Sequence, residues 1–202
     1  MTPQQFVLAS NNAGKLREFS QMLASEGIEL LPQSAFSVSD ADETGLTFVE
    51  NAILKARHAS QATGLPALAD DSGLEVDALN GAPGIYSARY SGEGANDDKN
   101  IDKLLDALKD TPAEQRTGRY QCVLVYMRHA LDPTPLICQA SWEGMLLSER
   151  RGNGGFGYDP IFYIPDLGCS VAELSAETKH QYGHRGKAMR LFFEQLHQHL
   201  TP

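Results

Sequence analysis

Apolar residues along the chain fall into short runs and one-sided stripes that follow one another in order. Gln5-Phe6-Val7-Leu8-Ala9 predicts a short buried strand. Leu16, Phe19 and Leu23 then recur at i, i+3 and i+7, one stripe of a helix that Gly27 is placed to end. Residues 34–45 are polar and acidic, with Asp40, Asp42 and Glu43, and read as a solvated loop. Thr47-Phe48-Val49-Glu50 has the spacing of a capping box. Phe48, Ala52, Ala56 and Ala59 make the apolar face of the helix it opens, Asn51 and Lys55 lie on another face, and Gly64 closes it. A second apolar run, residues 65–69, predicts a buried strand ending at Asp70-Asp71-Ser72-Gly73, after which alternation resumes. Residues 96–108 predict a helix with Ile101, Leu104, Leu105 and Leu108 inward. Residues 119–128 and 136–147 predict two long strands joined through Asp132-Pro133-Thr134-Pro135, an antiparallel hairpin. A short strand at 161–164 and a closing helix with Ala188, Met189, Phe192, Phe193 and Leu196 inward complete the order. No repeat, low-complexity tract or clear linker interrupts it.

Candidate chemistry sits at the breaks in this pattern. Adjacent residues on extended backbone point to opposite faces, so Asp70 and Asp71 are expected to do different jobs. Gly73 leaves room for a bulky ligand and allows a sharp turn. A strand's carboxyl end is where open α/β sheets bind ligands; Asp, Ser and Gly also suit a plain polar turn. Ser10-Asn11-Asn12-Ala13-Gly14-Lys15 joins strand to helix. Backbone N–H groups at such a helix start, with the Lys15 charge, suit an anion; a capped helix with a surface lysine fits the same residues. The spacing is not that of a Walker A loop. Gly152-Asn153-Gly154-Gly155-Phe156-Gly157-Tyr158-Asp159-Pro160 holds four glycines around two aromatics, a pattern for a mobile loop presenting rings for stacking, or for a flexible connection. Lys179, His184 and Arg185 lie near the start of the last helix, where basic residues oppose the dipole, so a ligand is the stronger motive for them.

Composition narrows the classes. The 202 residues suit one large domain or two small lobes. A net charge of −9 argues against a general nucleic-acid or membrane-surface binder, so a polyphosphate ligand would need local lysines and a metal. Three separated cysteines, Cys122, Cys138 and Cys169, form neither a zinc pair nor a disulfide framework and fit a reduced, cytoplasmic setting. Met1-Thr2-Pro3-Gln4-Gln5 lacks the basic and apolar regions of a secretory leader, and no apolar run approaches membrane-spanning length.

Taken in order, seven stretches resemble the inosine/xanthosine triphosphate pyrophosphatase family in its bacterial form: the 10–15 loop; Glu43-Thr44-Gly45-Leu46-Thr47-Phe48; Asn51-Ala52-Ile53-Leu54-Lys55-Ala56; Ala69-Asp70-Asp71-Ser72-Gly73-Leu74; Gly81-Ala82-Pro83-Gly84-Ile85-Tyr86-Ser87-Ala88-Arg89-Tyr90; Gly155-Phe156-Gly157-Tyr158-Asp159-Pro160; and Gly183-His184-Arg185-Gly186. The resemblance covers nearly the whole chain and departs at Gly183, where the family often has Ser. It implies a single α/β domain over residues 1–202: an elongated mixed sheet flanked by helices, two lobes with a central cleft. It also implies a cytoplasmic homodimer that uses Mg²⁺ to hydrolyse ITP, dITP and XTP to monophosphate and pyrophosphate, removing deaminated purines from the nucleotide pool. By the same resemblance Ser10, Asn11, Asn12, Ala13, Gly14 and Lys15 cradle the triphosphate, and Lys55 adds charge. Glu43 and Asp71 bind the metal with Asp70 in support, and Asp71 takes the proton of the attacking water. Ser72 touches the substrate. Phe156, Gly157, Tyr158 and Asp159 stack on and bracket the base, whose edge Lys179, His184 and Arg185 read.

Two rivals remain. A Maf-like pyrophosphatase shares the fold and differs in base preference, but its motifs do not cover these stretches. A non-catalytic nucleotide-binding module would be expected to lose a carboxylate such as Asp71, which is present.

Overall fold

The computed structural model describes residues 4–24 and 26–200, without the side chains of 197–200; Met1-Thr2-Pro3 of the leader expectation lies outside them. Among the described residues twelve regular elements occur, the predicted ones in the predicted order and β2, β7 and α4 in addition: β1 (Gln4–Leu8), α1 (Ala13–Ala24), β2 (Ile28–Pro32), α2 (Phe48–Thr63), β3 (Ala67–Val76), α3 (Asp97–Ala107), β4 (Thr117–Met127), β5 (Leu136–Leu146), β6 (Phe162–Ile164), β7 (Cys169–Ser170), α4 (Ala176–Tyr182) and α5 (His184–Leu200). Each forms for a local reason. Thr47 caps α2 by accepting the Glu50 N–H at 3.3 Å, while Glu50 Oε2 accepts the Leu46 N–H at 2.9 Å. Gly64 closes the same helix in the left-handed region, at φ +71°, donating to Ser60 O. Asn96 caps α3 by accepting the Lys99 N–H at 2.9 Å. Such caps each contribute about 1 kcal/mol.

The sheet is mixed, in the order β2-β1-β3-β4-β5-β6-β7. β1 runs parallel to β2, with Gln4 opposite Ile28 and Leu8 opposite Pro32, and parallel to β3, with Val7 opposite Ala67. β6 is antiparallel to both β5 and β7. β4 and β5 are neighbours as the hairpin pattern predicts, and the Leu146 N–H at the end of β5 donates to Arg116 O just before β4 at 2.7 Å.

One expectation is corrected. Asp70-Asp71-Ser72-Gly73 does not end a strand; β3 runs through it for ten residues. Gly73 is not among the described glycines with positive φ, so no turn occurs there. The paired side chains, not a loop, satisfy the carboxylates, and Leu74 and Val76 carry the buried alternation onward.

The chain divides into two compact units, residues 1–71, 123–139 and 188–202 in the first and 72–122 and 140–187 in the second. The first buries Phe6, Val7 and Leu8 of β1, Phe19 and Leu23 of α1, Ala52, Ala56 and Ala59 of α2, and Tyr126 and Phe192, whose rings make an edge contact at 5.9 Å. The second is built on Leu74, Ile101, Leu104, Leu108, Tyr120, Trp142, Phe162 and Val171. Among the described residues no helix is long and apolar enough to cross a membrane.

Candidate functional site

The first unit gathers an acidic and basic group on α1, α2 and β3. Asp70 and Asp71 serve different partners, as alternation on a strand requires. Lys15 Nζ lies 2.7 Å from Asp70 Oδ2, and Lys55 Nζ lies 2.5 Å from Asp71 Oδ1. Lys55 also reaches Glu43 Oε1 at 3.3 Å, so two carboxylates converge on one ammonium. Asp70 is fully buried, whereas Asp71 keeps a small exposure. Burial is the largest influence on Asp71 and lifts its carboxyl above the usual range, with Asp70 adding to the rise and Lys55 opposing it. Burial works to lower the Lys55 ammonium, but Asp71, Glu43 and Asp70 together hold it above its ordinary value.

The loop carrying Glu43 is fastened at several points. The Gly45 N–H donates to Asn51 Oδ1 at 2.8 Å. A Cβ at Gly45 would stand 2.6 Å from Glu50 Cβ and 2.7 Å from Asn51 Oδ1, so only glycine permits this approach. Asp40 Oδ1 accepts from Asn11 Nδ2 at 2.8 Å and Gln33 Nε2 at 2.6 Å, joining the loop to the 10–15 segment. Asn51 and Asp40 therefore position the expected site residues; of the two, only Asn51 stood out in sequence, as a neighbour of Lys55.

The 10–15 segment shows the capped helix start that its residues also allow. Two of its helix-start N–H groups, those of Gly14 and Lys15, donate to Asn12 Oδ1 at 2.9 and 3.0 Å. The Asn12 N–H donates to Ser10 Oγ at 3.1 Å. The helix start is capped from within, because a polar side chain two residues upstream satisfies orphan donors as an anion would.

The second unit gathers the aromatic and basic residues. Phe156 is more than a third exposed, with Lys179 Nζ 4.3 Å and Arg185 Cζ 5.2 Å from its ring centroid. Arg185 donates to Ser72 Oγ at 2.9 Å. Asp159 is buried and binds Lys179 Nζ at 2.6 Å, the Phe156 N–H at 3.0 Å and the Tyr120 hydroxyl at 3.1 Å. His184 opens α5 and stacks on Tyr120, centroids 4.8 Å apart and planes 21° from parallel. The expectation of a loop presenting two aromatic rings is corrected at Tyr158. That ring belongs to the core, and its hydroxyl donates to Ser87 O at 2.8 Å. The loop is tied down as well: the Gly157 N–H donates to Asp97 Oδ2 at 2.7 Å, and a Cβ on Gly155 would run into the Asp159 carboxylate. Tyr120 was not singled out by the sequence, where it is one aromatic in an alternating strand.

Chemically, the first group offers two lysines and an incompletely buried carboxylate suited to polyphosphate and a hard cation. The second offers a ring to stack on and cationic donors around it. β3 carries Asp71 of the first and Ser72 of the second as consecutive residues.

Comparison with known proteins bears out the resemblance. The Ham1 family model matches residues 6–195. A dITP/XTP pyrophosphatase of Photorhabdus laumondii is 58% identical over 193 residues, covering 96% of this chain and 98% of the relative. A dITP/XTP pyrophosphatase of Shewanella oneidensis is 64% identical over 186 residues, covering 92% and 90%. The solved structure of a HAM1 protein from Coxiella burnetii superposes with a TM-score of 0.91 at 49% identity, covering 96% and 99%. With the mixed sheet, the tied carboxylates and these full-length matches in hand, the chain is a member of the Ham1 family.

Proposed function

We infer that the chain is a nucleoside-triphosphate pyrophosphatase that hydrolyses ITP, dITP and XTP to monophosphate and pyrophosphate, clearing deaminated purines from the nucleotide pool. Relatives at 58% and 64% identity over nearly the whole chain bear that activity in their names. The observation that carries the reading in this chain is the convergence of Glu43 and Asp71 on Lys55, one residue before Ser72.

In this reading Lys15 and Lys55 hold the outer phosphates, and Asp71 accepts a proton from the water that cleaves the bond between the first and second phosphates. Lysines that neutralise the departing pyrophosphate stabilise a transition state rich in negative charge. Phe156 stacks on the base while Lys179, His184 and Arg185 meet its edge.

The donor set also fits Mg²⁺. Among the described residues no three of His, Cys, Asp and Glu form a metal group. Magnesium commonly binds one or two carboxylates plus substrate phosphates, and Glu43 and Asp71 already converge on a single cation. When bound there it would offset phosphate charge and ease deprotonation of water. Asp70, closed in on Lys15, supports Asp71 by position. We read the enzyme as a cytoplasmic homodimer, which sedimentation of the purified chain would test. The activity itself is tested by pyrophosphate release from ITP, XTP, dATP and dTTP with and without Mg²⁺. Turnover of ITP and XTP far above the other two is expected; equal turnover of all four, or none, overturns the reading.

A further inference from the structure

Residues 81–90 have no part in the proposed reaction, yet they close the edge of β3 that follows Ser72. Among the described residues β1 pairs with β3 at Ala67 and Leu68. Further along, the Val76 N–H donates to Ala82 O at 3.2 Å, the Gly81 N–H to Val76 O at 3.0 Å, and the Leu74 N–H to Ser87 Oγ at 2.8 Å. Ser87 Oγ in turn donates to Gly84 O at 2.6 Å within the 3₁₀ helix Gly84–Arg89, and the Ser87 carbonyl accepts the Tyr158 hydroxyl at 2.8 Å. Leu74, Ser87 and Tyr158 are all buried, so water does not readily replace either the Leu74 bond or the Tyr158 bond. α3 holds the same segment: Asn100 Nδ2 donates to Ala88 O at 3.1 Å, and Asn100 Oδ1 accepts the Ser91 N–H at 2.7 Å.

Two arms of the aromatic and basic group therefore meet at one residue. Leu74 lies two places after Ser72, on the same face of the strand, and Ser72 Oγ accepts from Arg185 at 2.9 Å. Tyr158 lies two places after Phe156, whose ring stands against Lys179 and Arg185. We propose that Ser87 is a positioning residue for the nucleobase. Its hydroxyl sets the β3 backbone beside Ser72 and Arg185, and its carbonyl holds the Tyr158 side chain that anchors the Phe156 loop. The assignment rests on the pyrophosphatase reading above and deepens it. It does not depend on which edge of the base each donor meets. Ser87 is uncharged and acts through Ser72 and Phe156. Its removal loosens the hold on the base and leaves in place the lysines and carboxylates that serve the phosphates.

The test is steady-state kinetics on ITP for the wild type and Ser87→Ala, which removes the hydroxyl and leaves the Leu74 N–H unmatched. KM should rise about tenfold, the weight of one modest hydrogen bond, with kcat changed by less than about twofold. A merely structural defect lowers the active fraction, so it depresses kcat and the melting temperature and leaves KM alone; that pattern overturns the assignment. In a Phe156→Ala background the same substitution should raise KM clearly less, because residues in one network do not act additively. An undiminished rise there places the effect outside the Phe156 loop and overturns the assignment as well. Should Ser87→Ala fail to fold, Tyr158→Phe decides, since it breaks the link to the Ser87 carbonyl and keeps the ring. A raised KM with kcat kept supports the role, and an unmoved KM overturns it. Wild type inactive on ITP and XTP would overturn the function and this role together, while ITP turnover with KM unmoved in Ser87→Ala overturns only the role of Ser87.

Discussion

Lys55 Nζ lies 2.5 Å from Asp71 Oδ1 and 3.3 Å from Glu43 Oε1, so one ammonium joins the strand that carries Asp71 to the loop that carries Glu43. Its position one helical turn after Asn51, which fastens that same loop through Gly45, makes α2 the element that aligns both carboxylates. Asp71→Asn keeps the shape and removes one charge and one base. Turnover of ITP should fall by about two to four orders of magnitude, the scale for a general base or metal ligand. ITP binding, followed by calorimetry, should be largely kept. Near wild-type turnover at saturating Mg²⁺ would remove Asp71 from the chemistry.

Lys15 pairs with the buried Asp70 and, in the proposed function, also holds the outer phosphates. Lys15→Ala should lower stability by about 3 kcal/mol, since one partner of a largely buried pair is removed. It should also weaken ITP binding more than inosine monophosphate binding. Adding Asp70→Asn should recover most of the melting temperature and none of the ITP affinity. A double variant that regains both would show that Lys15 serves Asp70 alone.

Arg185 donates to Ser72 and sits against Phe156. A donor aimed at position 6 bonds an oxo group and is mismatched with an amino group, at about 1–3 kcal/mol. Arg185→Ala should therefore lower kcat/KM for ITP far more than for ATP and narrow the ratio between them. Phe156→Ala should depress both, because stacking does not read position 6. An unchanged ITP to ATP ratio in Arg185→Ala would sink the base-reading role.

Asp132, in the β4–β5 loop, is buried and accepts from Arg128 Nε at 2.9 Å and from the N–H groups of Arg128 and Thr134, both at 3.0 Å. The Arg128 guanidinium, chiefly, holds its carboxyl well below the usual range. A depressed carboxylate contributes stability above its unfolded pKa, about 3.9, and loses it as pH falls through the lower folded value. Asp132→Asn should cost roughly 1–3 kcal/mol at neutral pH. The gap in melting temperature between wild type and variant should stay constant down to about pH 4 and shrink below it. A gap that persists undiminished to pH 2 would assign the loss to packing and not to charge.

The sequence by itself determined the order of the elements other than β2, β7 and α4, because that order rests on local rules. The stripes of α1, α2 and α3, the Thr47 cap and the Gly64 stop each need only a few neighbouring residues. It also determined the opposed duties of Asp70 and Asp71, which follow from the two-residue period of a strand. The tertiary structure alone decided which lysine each carboxylate meets, since Lys15 and Lys55 lie 55 and 16 positions from their partners and no spacing rule links them. It alone showed that β3 continues through Asp-Asp-Ser-Gly, because those turn-forming residues become strand residues once their polar groups find partners elsewhere. It placed Tyr158 in the core and left Phe156 outside, a distinction absent from two aromatics among glycines. And it brought Tyr120 from β4 to His184 and Asp159, 64 and 39 residues away, a stacking and hydrogen-bonding partner that carries no motif of its own.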